Sequence, residues 1–216
     1  MHHIRLGLAT IIGVLALAAI ASASAFAAAP EFLPSPAKGT TFTGTSGKGE
    51  LQIKGGGTIK CESDTSSGEL TGPKLLTATV TFKECKALGF AANSAGDAGG
   101  VILTALSGVL CEIAKATKTV GADLTLPANV VIEVPVAKQK IEVKGSVIGE
   151  VKPVAKKQAT GELVFTQKEG VQAPTKCEGG AEQILLAKEA EKEFKQSGEA
   201  TKESLTFSKE IEVTST

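Results

Sequence analysis

Apolar positions along this chain alternate with polar ones far more often than they recur at helical spacing. In "LTATVTFKE" (76–84), Ala78, Val80 and Phe82 fall on one face and Thr77, Thr79, Thr81 and Lys83 on the other. A period of two predicts a half-buried strand, with Phe82 turned to the core. "GELQIKGGGTIKCE" (49–62) predicts two strands around a turn at Gly55-Gly56-Gly57. "VILTALSGVLCEIAK" (101–115) alternates less and predicts two more deeply buried strands turning at Ser107-Gly108. "ADLTL", "NVVIEVPV", "QKIEVKGSVIGEV", "GELVFTQ", "QILLAKE" and "ESLTFSKEIEVTS" add further strands, with Pro135 marking an edge or strand end.

Two segments break the pattern. "LAKEAEKEFKQSG" (186–198) combines good helix formers with Gly198 as a stop, and predicts at most a helical turn. "KALGFAANSAGDAGG" (86–100) is rich in small residues and glycine and reads as a long loop. The expected fold is therefore all-β: an antiparallel β-sandwich or partly closed barrel of about 10–14 short strands, with at most one short helix.

The first thirty residues follow a different logic. Arg5 precedes an apolar run from Leu6 to about Ile20, and small residues then dominate to Ala27. A charged start, an apolar middle and A-x-A sites form the layout of a secretory signal peptide. The division expected is a signal peptide over 1–27, a Pro-rich leader over 28–38 ("AAPEFLPSPAK"), and a single secreted β domain over 39–216. No basic cluster follows the apolar run, so stable membrane insertion after cleavage is not expected. An outer-membrane barrel is disfavoured because it would need aromatic girdles, and the chain has no Trp or Tyr.

Cleavage changes the chemistry available. His2 and His3 are the only histidines, Arg5 the only arginine and Met1 the only methionine, and all four precede the cleavage region. The mature chain would thus lack His, Arg, Met, Trp and Tyr. A Ser-His-Asp triad is then impossible. The chain's formal charge is +0, which gives no electrostatic claim on nucleic acid, and the usual reader of phosphate and guanine is missing.

Four cysteines remain: Cys61, Cys85, Cys111 and Cys177. In an exported chain they read as two disulfides, and of three possible pairings Cys61–Cys85 with Cys111–Cys177 is favoured. No C-x-x-C spacing supports a zinc site. Asn93 and Asp97 in "NSAGDAGG", and Glu62 and Asp64 in "CESD", could supply oxygen ligands to calcium, but neither string has EF-hand spacing and turn capping explains both. Ser146 in "KGSVIGE" lacks the spacing of a nucleophile elbow. Glutamates are abundant enough that a catalytic carboxylate pair stays open, although the aromatic platforms common at sugar sites are absent. No catalytic, cofactor or metal residue is assigned, and no cofactor is expected.

The strings "GTIKCESDTSSGELTGPKLLTATVTFKECKALGF", "NSAGDAGGVIL", "IEVKGSVIGEV" and "KEGVQAPTKCE" resemble a group of exported proteins expanded in high-GC Gram-positive soil bacteria. Members often carry a cysteine in the loop that here reads "FAANS". The resemblance implies a secreted β-rich protein and carries over no activity and no catalytic residue. The functional expectation is a non-enzymatic, cell-surface or extracellular binding or structural module whose partner is a cell-envelope component or another protein. Two alternatives stand beside it: a secreted hydrolase using paired carboxylates or a Ser–Lys pair, and a subunit of a surface assembly docking by an edge strand.

Protein recovered from its native host should begin near Phe26 or Ala28. Intact-mass spectrometry checks this, and a mass retaining Met1 would refute the cleavage.

Overall fold

A computed structural model describes residues 29–35 and 37–216. The signal peptide expected over 1–27 lies outside the described residues. Seventeen strands follow one another: β1 (Phe32–Leu33), β2 (Thr40–Ser46), β3 (Gly49–Ile53), β4 (Thr58–Cys61), β5 (Ser63–Leu70), β6 (Leu75–Lys83), β7 (Lys86–Ala87), β8 (Phe90–Ala91) and β9 (Asn93–Ser94). Then come β10 (Ile102–Ala114), β11 (Thr119–Thr125), β12 (Val130–Val134), β13 (Gln139–Lys152), β14 (Gln158–Lys168), β15 (Val171–Ala173), β16 (Leu185–Glu189) and β17 (Lys195–Val213). Two three-residue 3₁₀ turns, at Lys115–Thr117 and Pro135–Ala137, are the helical elements among the described residues.

Eight strands close an antiparallel barrel in the order β2, β5, β6, β10, β11, β13, β14, β17 and back to β2. A second sheet continues from one end of it, in the order β9, β12, β13, β16, β17, β3, β4, β7, β8. β13 and β17 belong to both. β13 pairs with β12 and β16 up to Gly145 and with β11 from Ser146 onward. β17 pairs with β16 and β3 up to Ala200 and with β14 and β2 from Thr201 onward.

The alternation read from the sequence fixes which side chains enter the lumen. Ala78, Val80 and Phe82 face in, and the threonine row of β6 faces out. Outward rows on β2 and β17 are also polar, as Thr41, Thr43, Thr45, Lys202, Ser204 and Thr206 show. The lumen is apolar at the end where Phe42 packs on Phe207, ring centroids 5.8 Å apart. This inside-out contrast is the reverse of a bilayer-spanning barrel, whose lipid face is apolar.

Several sequence expectations change. The predicted turn at Ser107-Gly108 is instead the middle of the 13-residue strand β10. Gly108 faces inward, and its missing Cβ leaves the space that Leu76 and Leu124 occupy. Within 186–198, where the sequence allowed at most a helical turn, the segment is the end of β16, a reverse turn and the start of β17, because sheet pairing outweighs helix propensity. The 86–100 loop carries three two-residue strands that edge the second sheet. In the described part of the 28–38 leader, Phe32 is buried and β1 pairs with the end of β17, so the leader docks on the barrel. The strands also exceed the expected number, and three of them run to 13, 14 and 19 residues.

Cys61 is bonded to Cys85 and Cys111 to Cys177, with Cα separations of 4.0 and 5.8 Å. The first ties β4 to the segment after β6. The second holds residues 174–184 over the outer face of β10, β11 and β13. Under that cover, Ile148, Asp123 and Ser146 are buried although they point out of the barrel. No free cysteine remains among the described residues. Disulfides of this kind belong to an oxidising environment.

Phe207 is 9% exposed, whereas Phe82 is half-buried at the wall of an internal cavity. The more deeply buried ring loses more apolar contact when it is removed. Phe207→Ala should cost about 3–5 kcal/mol and Phe82→Ala clearly less. Denaturant unfolding of both variants tests the ordering; equal losses would contradict it.

Candidate functional site: a buried carboxylate cluster in the barrel lumen

Period two along β17 places Glu199, Thr201, Glu203, Leu205 and Phe207 on one inward row. The neighbouring inward row of β2 is Ser46, Gly44 and Phe42, and that of β5 is Asp64, Ser66, Gly68 and Leu70. Register aligns them across the wall: Glu203 lies opposite Ser46, and Ser46 opposite Asp64. One step along, Leu205 lies opposite Gly44, and Gly44 opposite Ser66. The wall is therefore apolar at its Phe42–Phe207 end and acidic toward the second sheet.

Hydroxyls next to the carboxylates donate to them. Ser46 Oγ donates to Asp64 Oδ2, and Ser66 Oγ donates to Glu203 Oε1. The second bond crosses over Gly44, where any Cβ would run into both Glu203 Oε1 and Ser66 Oγ. Gly44 is thus the position that lets the two strands on either side of β2 meet through their side chains. Other groups are left without partners. Asp64 Oδ1, Thr104 Oγ1 and Thr201 Oγ1 are buried and make no hydrogen bond within the protein. A buried polar atom without a partner costs about 1–3 kcal/mol.

These groups border a cavity of about 120 Å³ where the barrel opens into the second sheet. Its apolar wall includes Phe82, Ile102, Leu106, Val147 and Phe165, and its acidic wall Asp64, Glu199 and Glu203; the Glu50 carboxylate turns away from it and accepts from Gln167 Nε2 at 3.0 Å. No lysine lines it. A smaller cavity of about 60 Å³ lies toward the Phe42–Phe207 end and shares Val80, Leu106, Leu124 and Glu203 with the first. Glu203 stands between the two. Glu199 is half-buried and borders the cavity.

Burial without a nearby cation makes the charged form of these acids costly. Burial, with the charges of Asp64 and then Glu203 adding to it, raises Glu199 to about 8. Burial raises Glu203 to about 7; the Ser66 hydrogen bond opposes the shift and the charge of Asp64 adds to it. Asp64 is raised by burial against the opposing hydrogen bond from Ser46. The three interact, so they titrate as a cluster that keeps protons at neutral pH.

No family model matches this chain, and no curated protein or solved structure is similar to it.

The residues singled out from sequence are scattered. Glu62 is on the surface, 3.3 Å from Lys48. Asp64 lies two residues on, past the bend at Glu62 that separates β4 from β5, and enters the lumen wall. Asn93 donates to the Ser94 carbonyl at 3.0 Å, and Asp97 is exposed in a turn. The structure brings neither calcium candidate string together as a site. Ser146 donates to Gln183 Oε1 at 2.7 Å beneath the 174–184 cover. Cys61 borders the lumen cavity, and Cys111 lies on the outer face. Sequence reading missed Glu199, Glu203, Ser46 and Ser66. β2 and β5 are rich in Thr, Ser and Gly, so they carried no strand signal. The one available clue was the inward phase of "ESLTFSKEIEV", which puts Glu203 in line with Leu205 and Phe207.

The raised acids set a pH dependence. The folded state holds their protons more tightly than the unfolded chain, so their effect favours folding below about pH 4.5 and is lost as pH rises to about 8. Glu189 shifts the other way, lowered chiefly by its hydrogen bond from Lys192, and titrates below this window. The melting temperature should therefore fall from pH 5 to pH 8, and Glu199→Gln should flatten that fall and raise stability at pH 8. Calorimetric scans across the window check this; a melting temperature rising toward pH 8 would contradict the burial of the cluster.

Proposed function

We propose that this chain is an exported, non-enzymatic binding module whose barrel lumen holds a small, largely apolar molecule bearing a polar group. The observation that carries the reading is the lumen cavity itself, apolar on most sides and edged by buried oxygens that the protein leaves unpartnered. An eight-stranded barrel is just wide enough either to be filled by its own side chains or to hold one small ligand. Here filling is incomplete. A cavity of about 120 Å³ compares with the ~150 Å³ that admits benzene. The disulfides and the signal-like first 27 residues support export and an extracellular or cell-surface setting.

A hydrolase using these carboxylates is the second reading, favoured by the raised Glu199 and Glu203 beside Asp64. Size argues against it: a glycosyl unit with its leaving group is larger than benzene. The Ser–Lys variant also finds no support, since Ser46 and Ser66 are bonded to carboxylates and Ser146 to glutamine. Docking by an edge strand would have to use the short strands of the second sheet, because the closed barrel leaves no edge of its own.

Isoamyl alcohol, a branched apolar chain with one hydroxyl, is a suitable probe. Titration calorimetry should show it binding the native chain, and Thr104→Phe, which fills the cavity from its wall, should abolish binding without unfolding the protein. Absence of binding to the native chain, or equal binding by a folded Thr104→Phe variant, would overturn the reading.

A further inference from the structure

We infer that the lumen site selects a cation: its ligand is a small primary amine, with an apolar body against Phe82, Ile102 and Leu106 and an ammonium among Asp64, Glu199 and Glu203. The inference rests on the reading of the lumen as a binding site and names the ligand class.

Two independent observations lead to it. The first is charge. Among the described residues, every ionisable side chain facing the cavity is a carboxylate: Asp64 from β5, and Glu199 and Glu203 from β17. No lysine offsets them there. The second is unmet hydrogen bonding. Thr201 is only 9% exposed and faces the cavity from between the two glutamates, and its Oγ1 has no partner. Asp64 is 4% exposed, with Oδ1 likewise free. An alkylammonium brings three donors and no acceptor. It would give Asp64 Oδ1 the donor it lacks, and charge-assisted bonds to carboxylates are roughly twice as strong as neutral ones.

A metal ion is the less suitable cation. Among the described residues no group of three or more acidic, His or Cys side chains converges as a metal site. The opposite wall is hydrocarbon, which an amine's alkyl body matches and a hydrated ion does not. The cluster without ligand retains protons, so an entering ammonium displaces one. The ammonium carries its charge in and a carboxylic acid of the Glu199–Glu203 pair releases its proton to buffer, leaving the net charge of the site unchanged.

Matched ligands separate this inference from the reading beneath it. Isoamylamine, isoamyl alcohol and isovalerate share a carbon skeleton and differ in charge. At pH 7 the amine should bind at least about tenfold more tightly than the alcohol, a difference of about 1.4 kcal/mol, and isovalerate should bind least. Calorimetry in buffers of different ionisation heat should show proton release with the amine and none with the alcohol. Glu199→Gln and Glu203→Gln should bring amine affinity down to within about twofold of each variant's own alcohol affinity, with cooperative thermal unfolding showing that both variants are folded. Equal binding of amine and alcohol, or tighter binding of isovalerate, overturns the cation inference and leaves the lumen reading standing. Binding of none of the three overturns both.

Discussion

Closure of the barrel by β17 is the constraint on which the rest depends. From Thr201 onward this strand pairs with β14 on one side and β2 on the other, and without it the barrel strands would form an open sheet with two edges. Once closed, the wall has a fixed inside and outside, and a one-residue slip would exchange every side chain between them. The register that seats Phe207 beside Phe42 therefore also dictates that Glu203 and Glu199 point inward. The acidic wall is a consequence of the same phase that builds the apolar end.

The two halves of the lumen are in energetic opposition. Phe32, Phe42, Leu70 and Phe207 are buried at one end and supply hydrophobic stabilisation. Toward the other end, three carboxyl groups and two threonine hydroxyls are removed from water with too few partners. Conflicts of this kind between local chemistry and global packing concentrate at functional sites. Ser46 and Ser66 satisfy one oxygen each of Asp64 and Glu203, which orients the remaining oxygens. The disulfide of Cys61, at the cavity border, ties that end of the barrel to the segment after β6.

The fold was more legible in the sequence than the site. Alternation gave β6 with its inward face and located β12 and β14, and the triple glycine gave the β3–β4 hairpin. It failed where a strand was long or unusual in composition. Gly108 looked like a turn because glycine punctuates turns, yet its role is to make room between Leu76 and Leu124. β2 and β5 went unread because Thr, Ser and Gly carry little hydrophobic signal, although their register with β17 is continuous. Those two strands bear Ser46, Asp64 and Ser66, so missing them meant missing the site. Asp64 was noticed only beside Glu62, its neighbour in sequence. The bend at Glu62 leaves that residue outside β5, and register instead brings Asp64 to the same lumen wall as Glu203, 139 positions away, an approach that only barrel closure creates.

Composition links the missing chemistry to the remaining space. Eight strands enclose a lumen that large side chains can fill. This chain has no Trp or Tyr anywhere, and its one Met is the first residue. Phenylalanine is the largest filler left among the described residues. Phe42 and Phe207 occupy one end and Phe165 and Phe82 the wall of the other, while Phe90 lies exposed on the short edge strand β8. Gly44, facing the lumen between Glu203 and Ser66, contributes no volume at all. The supply of bulk runs out before the lumen is full, and the larger void lies on the side where the carboxylates stand. A void beside unpartnered acids is an arrangement that a wholly structural barrel would gain from eliminating, since a leucine in place of Glu199 would fill space and remove a buried polar group together. Its presence is the physical reason to regard the lumen as a site and the barrel as its container.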